Sequence, residues 1–137
     1  KVKNESTYCK YYISNPPIEL DWRKKNVVTP GKNQQQCGSC WAVSAVVSLE
    51  GLNAIRHHKL VSLSEQELVD CSNSYSNEGC NGGWMDDAFA YVRDKGICKE
   101  SEYPYKAEDG KCKKCKPGVN IKDYCDIPPN NEDLLLK

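Results

Sequence analysis

Nine cysteines lie in a chain of only 137 residues, and this density constrains the fold more than any other feature. Short chains with so many cysteines are typical of oxidising compartments, where disulfides hold loops in place. An odd number of cysteines leaves one thiol outside the pairing. The sequence therefore predicts a small, disulfide-stapled domain on the secretory route, with one free thiol.

Composition excludes several classes of protein. Nineteen basic and nineteen acidic residues cancel, so no overall charge draws the chain to nucleic acid or to anionic lipid. The longest apolar stretch, Trp41–Leu49, is much shorter than the roughly 20 residues that cross a bilayer. A chain of this length buries one modest core. We therefore expect one soluble, globular domain without a nucleic acid or membrane partner.

Hydrophobic periodicity predicts three helices and little strand. Apolar residues surround most of the helix circumference from 39 to about 55, which predicts a helix that is buried nearly all round. A Ser-x-x-Glu capping box that starts at Ser64 predicts a short helix that ends near residue 71. A third helix is predicted from about 84 to 95, with Gly96 as its C-terminal stop.

The segment Gln34–Trp41 places a cysteine where the first predicted helix begins. The first backbone N–H groups of a helix have no partner inside the helix, and the helix dipole is positive there. Both effects favour a thiolate, which is the attacking form of cysteine. We therefore predict that Cys40 is a nucleophile, rather than a buried inert thiol or a disulfide partner of Cys37.

Three blocks of the sequence together resemble the papain family of cysteine peptidases. They are Gln-Gln-Gln-Cys-Gly-Ser-Cys-Trp at 34–41, Ser-Glu-Gln-Glu-Leu-Val-Asp-Cys at 64–71 and Cys-Asn-Gly-Gly at 80–83. The resemblance begins near Pro17 and continues through Tyr103-Pro104-Tyr105 to about Leu136. It covers nearly the whole chain and corresponds to the N-terminal, helical half of the family's catalytic unit.

This resemblance implies an α+β papain-like fold, in which the chain forms the mainly helical, disulfide-rich left domain. Residues 1–16 would be an N-terminal extension, and residues 17–137 would be the left domain. The β-rich right domain, which is the C-terminal half of the catalytic unit, would be absent from this chain.

The resemblance also assigns roles in a cysteine endopeptidase. Cys40 would be the nucleophile, while its backbone N–H and the Gln34 side chain would form the oxyanion hole. The residues expected to contact a peptide substrate are Gly38, Ser39, Trp41, Gly82, Gly83, Trp84 and Met85. Trp84 and Met85 would line an apolar subsite, although packing of the third helix is the alternative for both. The family usually has a small residue, often glycine, where this chain has Gln35.

The resemblance also implies four disulfides, and a sequence triplet gives a candidate glycan site. The resemblance implies Cys37–Cys80 and Cys71–Cys112 as family pairs, Cys98–Cys115 as in some protozoan members, and Cys9–Cys125, which is similar to a link in the papain-like group 1 mite allergens. Cys40 would then be the free thiol. Asn4-Glu5-Ser6 is an N-glycosylation acceptor, so Asn4 is a candidate glycan site.

The sequence contains only two histidines, His57 and His58. On one helix that rises about 1.5 Å per residue, His57 would lie about 25 Å from the Cys40 thiol, which is too far for a catalytic base. The resemblance implies that the catalytic histidine and its orienting asparagine lie in the right domain. A second chain that carries both is therefore an expected partner, although loss of that half or a partial sequence stays open.

Other expected partners are peptide or protein substrates, a pro-segment and cystatin-like inhibitors, with no cofactor and no metal. The sequence looks like a processed form and is expected in a secreted, lysosomal or vacuolar location.

Three alternatives remain open at this point. Cys37-x-x-Cys40 before a helix is also typical of thiol-disulfide oxidoreductases, although the preceding residues are polar rather than an apolar strand. Cys37 and Cys40 together with Cys112 and Cys115 would be a zinc site of unusually wide spacing. The third alternative is that the chain is a catalytically incomplete papain-like fragment, which acts as a binding or structural module.

Overall fold

The computed structural model of the chain describes residues 8–10 and 15–136. Its α-helices are α1 (Cys40–His57), α2 (Glu65–Cys71), α3 (Met85–Lys95) and α4 (Glu132–Leu136). Single turns of 3₁₀ helix lie at Trp22–Lys25, Asn73–Tyr75 and Gly79–Asn81. Across these described ranges, β structure is limited to isolated bridges. The three predicted helices are confirmed, whereas the short α4 was not predicted.

The described residues form two compact units. The larger unit runs from Trp22 to Asp123 and contains α1, α2 and α3. The smaller unit combines the described residues up to Asp21 with those from Tyr124 onward. The predicted boundary between an extension (1–16) and a left domain (17–137) stays a prediction. The predicted glycan site, Asn4, lies outside the described residues.

The core of the larger unit lies where α1 packs against α2 and α3. Its buried members are almost all apolar: Trp41, Ala42, Ala45, Val46, Leu49, Leu63, Leu68, Val69, Ala88, Tyr91, Val92 and Ile97. The prediction that α1 is buried nearly all round is wrong for its C-terminal half. Leu52 and Ile55 are 47% and 45% exposed, because α2 and α3 pack against the other side of the helix.

The start of α2 follows only half of the predicted capping box. The Ser64 hydroxyl accepts a hydrogen bond from the Glu67 N–H at 3.0 Å. The Glu67 carboxylate does not return the bond and instead accepts from the Cys98 N–H at 2.6 Å and the Tyr91 hydroxyl at 3.0 Å. Burial raises the pKa of Glu67, although both hydrogen bonds oppose that shift. Glu67 therefore ties α2 to α3 and to the loop that follows it.

Disulfides hold the loops on both units. The bonded pairs are Cys9–Cys125, Cys37–Cys80, Cys71–Cys112 and Cys98–Cys115, the same four pairs that the family resemblance implies. Cys9–Cys125 lies within the smaller unit, beside a backbone hydrogen bond from the Cys9 N–H to the Asp126 carbonyl at 2.8 Å. The other three bonds lie within the larger unit, where two of them hold the loops that follow α2 and α3.

Candidate active site

Cys40 is the first residue of α1, and its side chain is exposed. It is the free cysteine of the chain, since each of the other eight lies in a disulfide. The helix behind it is 18 residues long, so the positive end of a long helix dipole meets the thiol. The structure thus presents one accessible thiol at the N-terminus of α1.

The loop before Cys40 is fixed to the turn Gly79–Asn81. Cys37 is bonded to Cys80, and the Gly38 N–H donates to the Cys80 carbonyl at 2.9 Å. A Cβ atom on Gly38 would lie 2.5 Å from that carbonyl oxygen, so only glycine fits here. Because Cys37 is bonded to Cys80, Cys37 and Cys40 do not form the disulfide that the redox alternative requires.

Metal binding finds little support among the described residues. The predicted zinc site needs Cys37, Cys112 and Cys115 as thiolates, and all three are in disulfides. One cluster with suitable ligand atoms joins Glu67 to the sulfurs of Cys98 and Cys115. Those two sulfurs are bonded to each other, so neither is a thiolate.

The Gln34 side chain lies next to this loop. Its amide nitrogen, Nε2, donates to the Cys37 carbonyl at 2.9 Å. A side-chain amide nitrogen carries two hydrogens, so this bond fixes the amide plane and leaves one hydrogen to donate elsewhere. The geometry therefore suits an oxyanion donor that is oriented by its own loop.

Gln35 has a left-handed backbone, with φ of 56°. Its N–H donates to the Asn33 side chain at 2.9 Å, and its own side chain is exposed. Glycine adopts this conformation without a steric cost, which gives a physical reason for the family's small residue here. Gln35 keeps the turn and points its side chain into solvent.

The segment predicted to contact substrate contains two glycines, Gly82 and Gly83. Each excludes a side chain for a different structural reason. Gly82 has a φ of 122°, which side chains rarely allow. At Gly83, a Cβ atom would lie 2.6 Å from the Asn77 side-chain oxygen and 2.7 Å from the Trp41 ring. Trp41 is 2% exposed and its indole N–H donates to the Gly79 carbonyl. It therefore contacts this segment from the buried core and not from the solvent side.

Trp84 and Met85 open α3 and are 64% and 40% exposed. The Trp84 N–H donates to the buried Asn77 side chain at 2.8 Å, which fixes the backbone while the indole stays in solvent. A large aromatic side chain with most of its surface exposed is unusual for a residue that serves the core. The alternative of simple helix packing is therefore weak for Trp84.

The two histidines lie at the other end of α1. His57 is its last residue, and His58 follows in a left-handed conformation with φ of 55°. Both are exposed, as solvated histidines at a helix C-terminus are expected to be. Neither is placed to act on Cys40.

A cluster of charged side chains surrounds Lys32, which belongs to the loop that precedes Cys40. Lys32 binds Glu50 at 2.7 Å and also binds Glu65. Burial lowers the pKa of Lys32, but its bonds to the two carboxylates outweigh this effect and raise it. Burial, together with the nearby Glu65, raises the pKa of Glu100, whose Oε2 atom is buried without a hydrogen bond. Lys32, Glu65 and Glu100 line a cavity of about 310 Å³, and Tyr105 also lines it.

Sequence reasoning did not single out Tyr105 as a site residue. Its hydroxyl contacts the Gln34 carbonyl at 2.7 Å and the Ser39 hydroxyl at 2.6 Å. The available signal was the Tyr103-Pro104-Tyr105 block, but a block of sequence does not tell which loop a side chain reaches.

Comparisons with known proteins agree with this arrangement. The family described as papain family cysteine protease matches residues 16–137. Vignain of Ricinus communis is 48% identical over 98% of the chain, and a cathepsin L-like protein of Caenorhabditis elegans is 49% identical over 98%. The chain spans 38% and 41% of the lengths of these two relatives.

Solved structures match as closely. Procathepsin L 3 of the Tenebrio molitor larval midgut superposes over 98% of this chain and 45% of its own, with a TM-score of 0.87 and 42% identity. The Carica candamarcensis cysteine protease CMS1MS2, in complex with E-64, covers 87% of this chain and 56% of its own, with a TM-score of 0.82 and 42% identity. These neighbours confirm the papain-like fold predicted from the sequence.

No helix in the described ranges is both long and apolar enough to span a bilayer.

Proposed function

The chain belongs to the papain family of cysteine proteases, and we propose that it supplies the nucleophile and oxyanion hole of a cysteine endopeptidase. The observation that carries this proposal is the single free, exposed thiol of Cys40 at the start of α1. An accessible thiol in a chain with four disulfides is a chemical liability unless it has a use.

The catalytic base comes from outside these 137 residues. His57 and His58 lie at the far end of α1, about 25 Å from the thiol at about 1.5 Å per residue. The base would be a histidine, oriented by an asparagine, on a right domain that packs against this one, either as a second chain or as part of a longer one. We refer to the two halves together as the complete enzyme.

The reaction then runs in two steps. The Cys40 thiolate attacks the carbonyl carbon of the scissile peptide, and the oxygen becomes an oxyanion held by the Cys40 N–H and the Gln34 amide. The C–N bond breaks as the histidinium of the right domain protonates the leaving amine, which leaves a thioester on Cys40. Water attacks the thioester through a second oxyanion, and the carboxylic acid and free thiol are released.

The substrate would be an extended peptide that passes the segment Gly82–Met85. Two glycines keep side chains away from the path, so that the peptide backbone approaches closely. Trp84 and Met85 offer an apolar wall, which favours an apolar side chain near the scissile bond. The remaining wall of that subsite belongs to the right domain.

Partners and location follow from the same proposal. Four disulfides fit an oxidising route, and we expect a secreted, lysosomal or vacuolar location. A pro-segment and cystatin-like inhibitors would block access to Cys40. Glycosylation of Asn4 would be compatible with this route.

Cys40→Ala tests the proposal in the complete enzyme. We expect turnover of a peptide amide to fall to the uncatalysed rate, with an unchanged circular dichroism spectrum, because the nucleophile is exposed and its removal leaves the core intact. Ser44→Ala, one helical turn later on an exposed site of α1, is the matched control and should keep full activity. Undiminished turnover in Cys40→Ala would exclude Cys40 as the nucleophile.

A second candidate function is a binding module, because both histidines of the chain lie at the far end of α1 from Cys40. This alternative predicts that the chain binds a peptide aldehyde without ever hydrolysing a peptide, even when the right domain is present. Measured turnover by the complete enzyme would exclude it.

A further inference from the structure

The segment from residue 31 to residue 39 is neither helix nor strand. It contains Gln34, one proposed oxyanion donor, and leads directly to Cys40, whose N–H is the other. Its middle is fixed by the disulfide Cys37–Cys80 and by the hydrogen bond from Gly38 to the Cys80 carbonyl. The Gln34 amide and the Ser39 N–H also donate to the Cys37 carbonyl, at 2.9 and 2.8 Å. None of these contacts involves the Gln34 backbone carbonyl or the Ser39 hydroxyl. The spacing between the donors depends on where these two residues lie, because one donor is on Gln34 and the other is the N–H that follows Ser39.

One hydroxyl group contacts both the Gln34 carbonyl and the Ser39 hydroxyl. The Tyr105 oxygen lies 2.7 Å from the Gln34 carbonyl oxygen and 2.6 Å from the Ser39 hydroxyl. Tyr105 is 71 positions from Gln34 and 66 from Ser39, so it reaches the segment from a different loop. Its own N–H donates to the Glu100 carboxylate at 2.9 Å, which fixes the base of the tyrosine.

The direction of both hydrogen bonds follows from the chemistry of the partners. A carbonyl oxygen only accepts, so the Tyr105 hydroxyl donates its single hydrogen to Gln34. The Ser39 hydroxyl must then donate to the Tyr105 oxygen. The three groups form a directed chain from Ser39 through Tyr105 to Gln34, and loss of the Tyr105 hydroxyl breaks both links together.

Ser39 gives up a common role to take part in this chain. It precedes α1 at the N-cap, yet its side chain makes no capping hydrogen bond. Ser64, in the same position before α2, does cap its helix. Because the Ser39 hydroxyl turns to Tyr105 instead, it does not occupy the N–H groups of the first turn of α1. Those N–H groups stay available beside Cys40.

We propose that Tyr105 is a positioning residue, which holds the Gln34 carbonyl and the Ser39 hydroxyl so that the two oxyanion donors keep their spacing. This inference rests on the proposed function, since it assigns Tyr105 a part in the same reaction. Tyr105 acts through its two neighbours and touches neither the substrate nor the reacting atoms.

The test compares two reactions of the Cys40 thiol in the complete enzyme. Hydrolysis of a peptide amide passes through an oxyanion, whereas alkylation by iodoacetamide displaces iodide and forms none. For Tyr105→Phe we expect kcat for the amide to fall about tenfold to 100-fold, part of the loss caused by removing one donor outright. KM should stay within about twofold and the alkylation rate should not change, because neither depends on the oxyanion.

Tyr75→Phe is the matched control. It also removes one tyrosine hydroxyl, which bonds Asp94 at 2.9 Å on an exposed surface of the same unit. We expect no change in kcat or in alkylation for this variant. A second readout is affinity for a peptide aldehyde, whose adduct with Cys40 carries an oxyanion-like oxygen and should weaken only in Tyr105→Phe.

The outcomes separate this inference from the proposed function. If the unsubstituted enzyme hydrolyses the amide but Tyr105→Phe has the same kcat, the positioning role is refuted and the proposed function stands. If alkylation slows as much as hydrolysis, the substitution disturbs the thiol rather than the oxyanion hole, which also overturns the inference. If the unsubstituted complete enzyme does not hydrolyse the amide, the proposed function is refuted, and the role of Tyr105 that rests on it is refuted too.

A double-mutant cycle that combines Tyr105→Phe with Ser39→Ala tests the directed chain from its other end. The single substitutions break the same chain, so the loss in the double variant should be clearly smaller than the product of the two single losses. Ser39→Ala alone should also lower kcat more than the alkylation rate. Independent, multiplicative losses would contradict the directed chain.

Discussion

The helical core and the segment 31–39 are held together by different physics. The core where α1 meets α2 and α3 consists of buried apolar side chains. The segment contains almost no buried apolar residue and is fixed by a disulfide, a tyrosine hydroxyl and hydrogen bonds to its own carbonyl groups. Packing of the first kind tolerates apolar replacements of similar volume, whereas the second kind fixes specific atoms at specific distances. We infer that the core determines stability and the segment determines reactivity.

The largest expected effect on stability is in the core. Leu68→Ala removes a fully buried side chain and should lower the free energy of unfolding by about 3 kcal/mol, from lost burial and the cavity left behind. Leu52→Ala, at a site 47% exposed, should cost less than about 1 kcal/mol. Denaturant unfolding of the complete enzyme measures both. The molecules of Leu68→Ala that remain folded should keep the turnover per Cys40 thiol of the unsubstituted enzyme. A loss of that turnover would mean that the core also determines reactivity.

The next effect is in the segment and has the opposite sign. Gln35 has a φ of 56°, and a side chain there costs about 1 kcal/mol that glycine avoids. Gln35→Gly should therefore raise the free energy of unfolding by about 0.5 kcal/mol, after the greater entropy of unfolded glycine is subtracted. Thermal unfolding measures the change.

Gln36→Gly is its control, because this exposed neighbour is not among the residues with positive φ. It should lower stability, since the entropy cost of glycine is then uncompensated. Equal effects at both positions would mean that the turn at Gln35 carries no strain.

The smallest effect depends on pH. Burial and the Glu65 charge raise the pKa of Glu100 above its value in the unfolded chain. The contribution of Glu100 to stability is therefore complete below the unfolded pKa, and is lost as the pH rises through the folded pKa. Glu100→Gln keeps an oxygen for the Tyr105 N–H and has no carboxylate to ionise.

We thus expect Glu100→Gln to match the unsubstituted enzyme near pH 4 and to be slightly more stable at pH 7, by less than the effect at Gln35. Melting temperatures at several pH values would show this. Glu102→Gln, an exposed site nearby, is the control and should follow the unsubstituted curve. A variant less stable at pH 7 than the unsubstituted enzyme would contradict the assigned sign.

The same contrast between core and segment explains which features could be predicted from the sequence. The three helices follow from periodicity, because local apolar spacing decides which side of a helix is buried. The exposure of Leu52 and Ile55 does not follow, since periodicity shows that a face is apolar but not which neighbours cover it. Cys40 and Gln34 were recognisable from a local motif. Tyr105 was not, because its two bonds join residues 66 and 71 positions apart.

Titration of the free thiol with iodoacetamide, followed by peptide mapping, tests most directly whether Cys40 is the nucleophile. In the complete enzyme, turnover should fall in proportion to the fraction of Cys40 alkylated and reach zero at one equivalent per chain, with no other cysteine modified. Turnover that persists when Cys40 is fully alkylated, or that disappears while Cys40 is still free, would contradict the account.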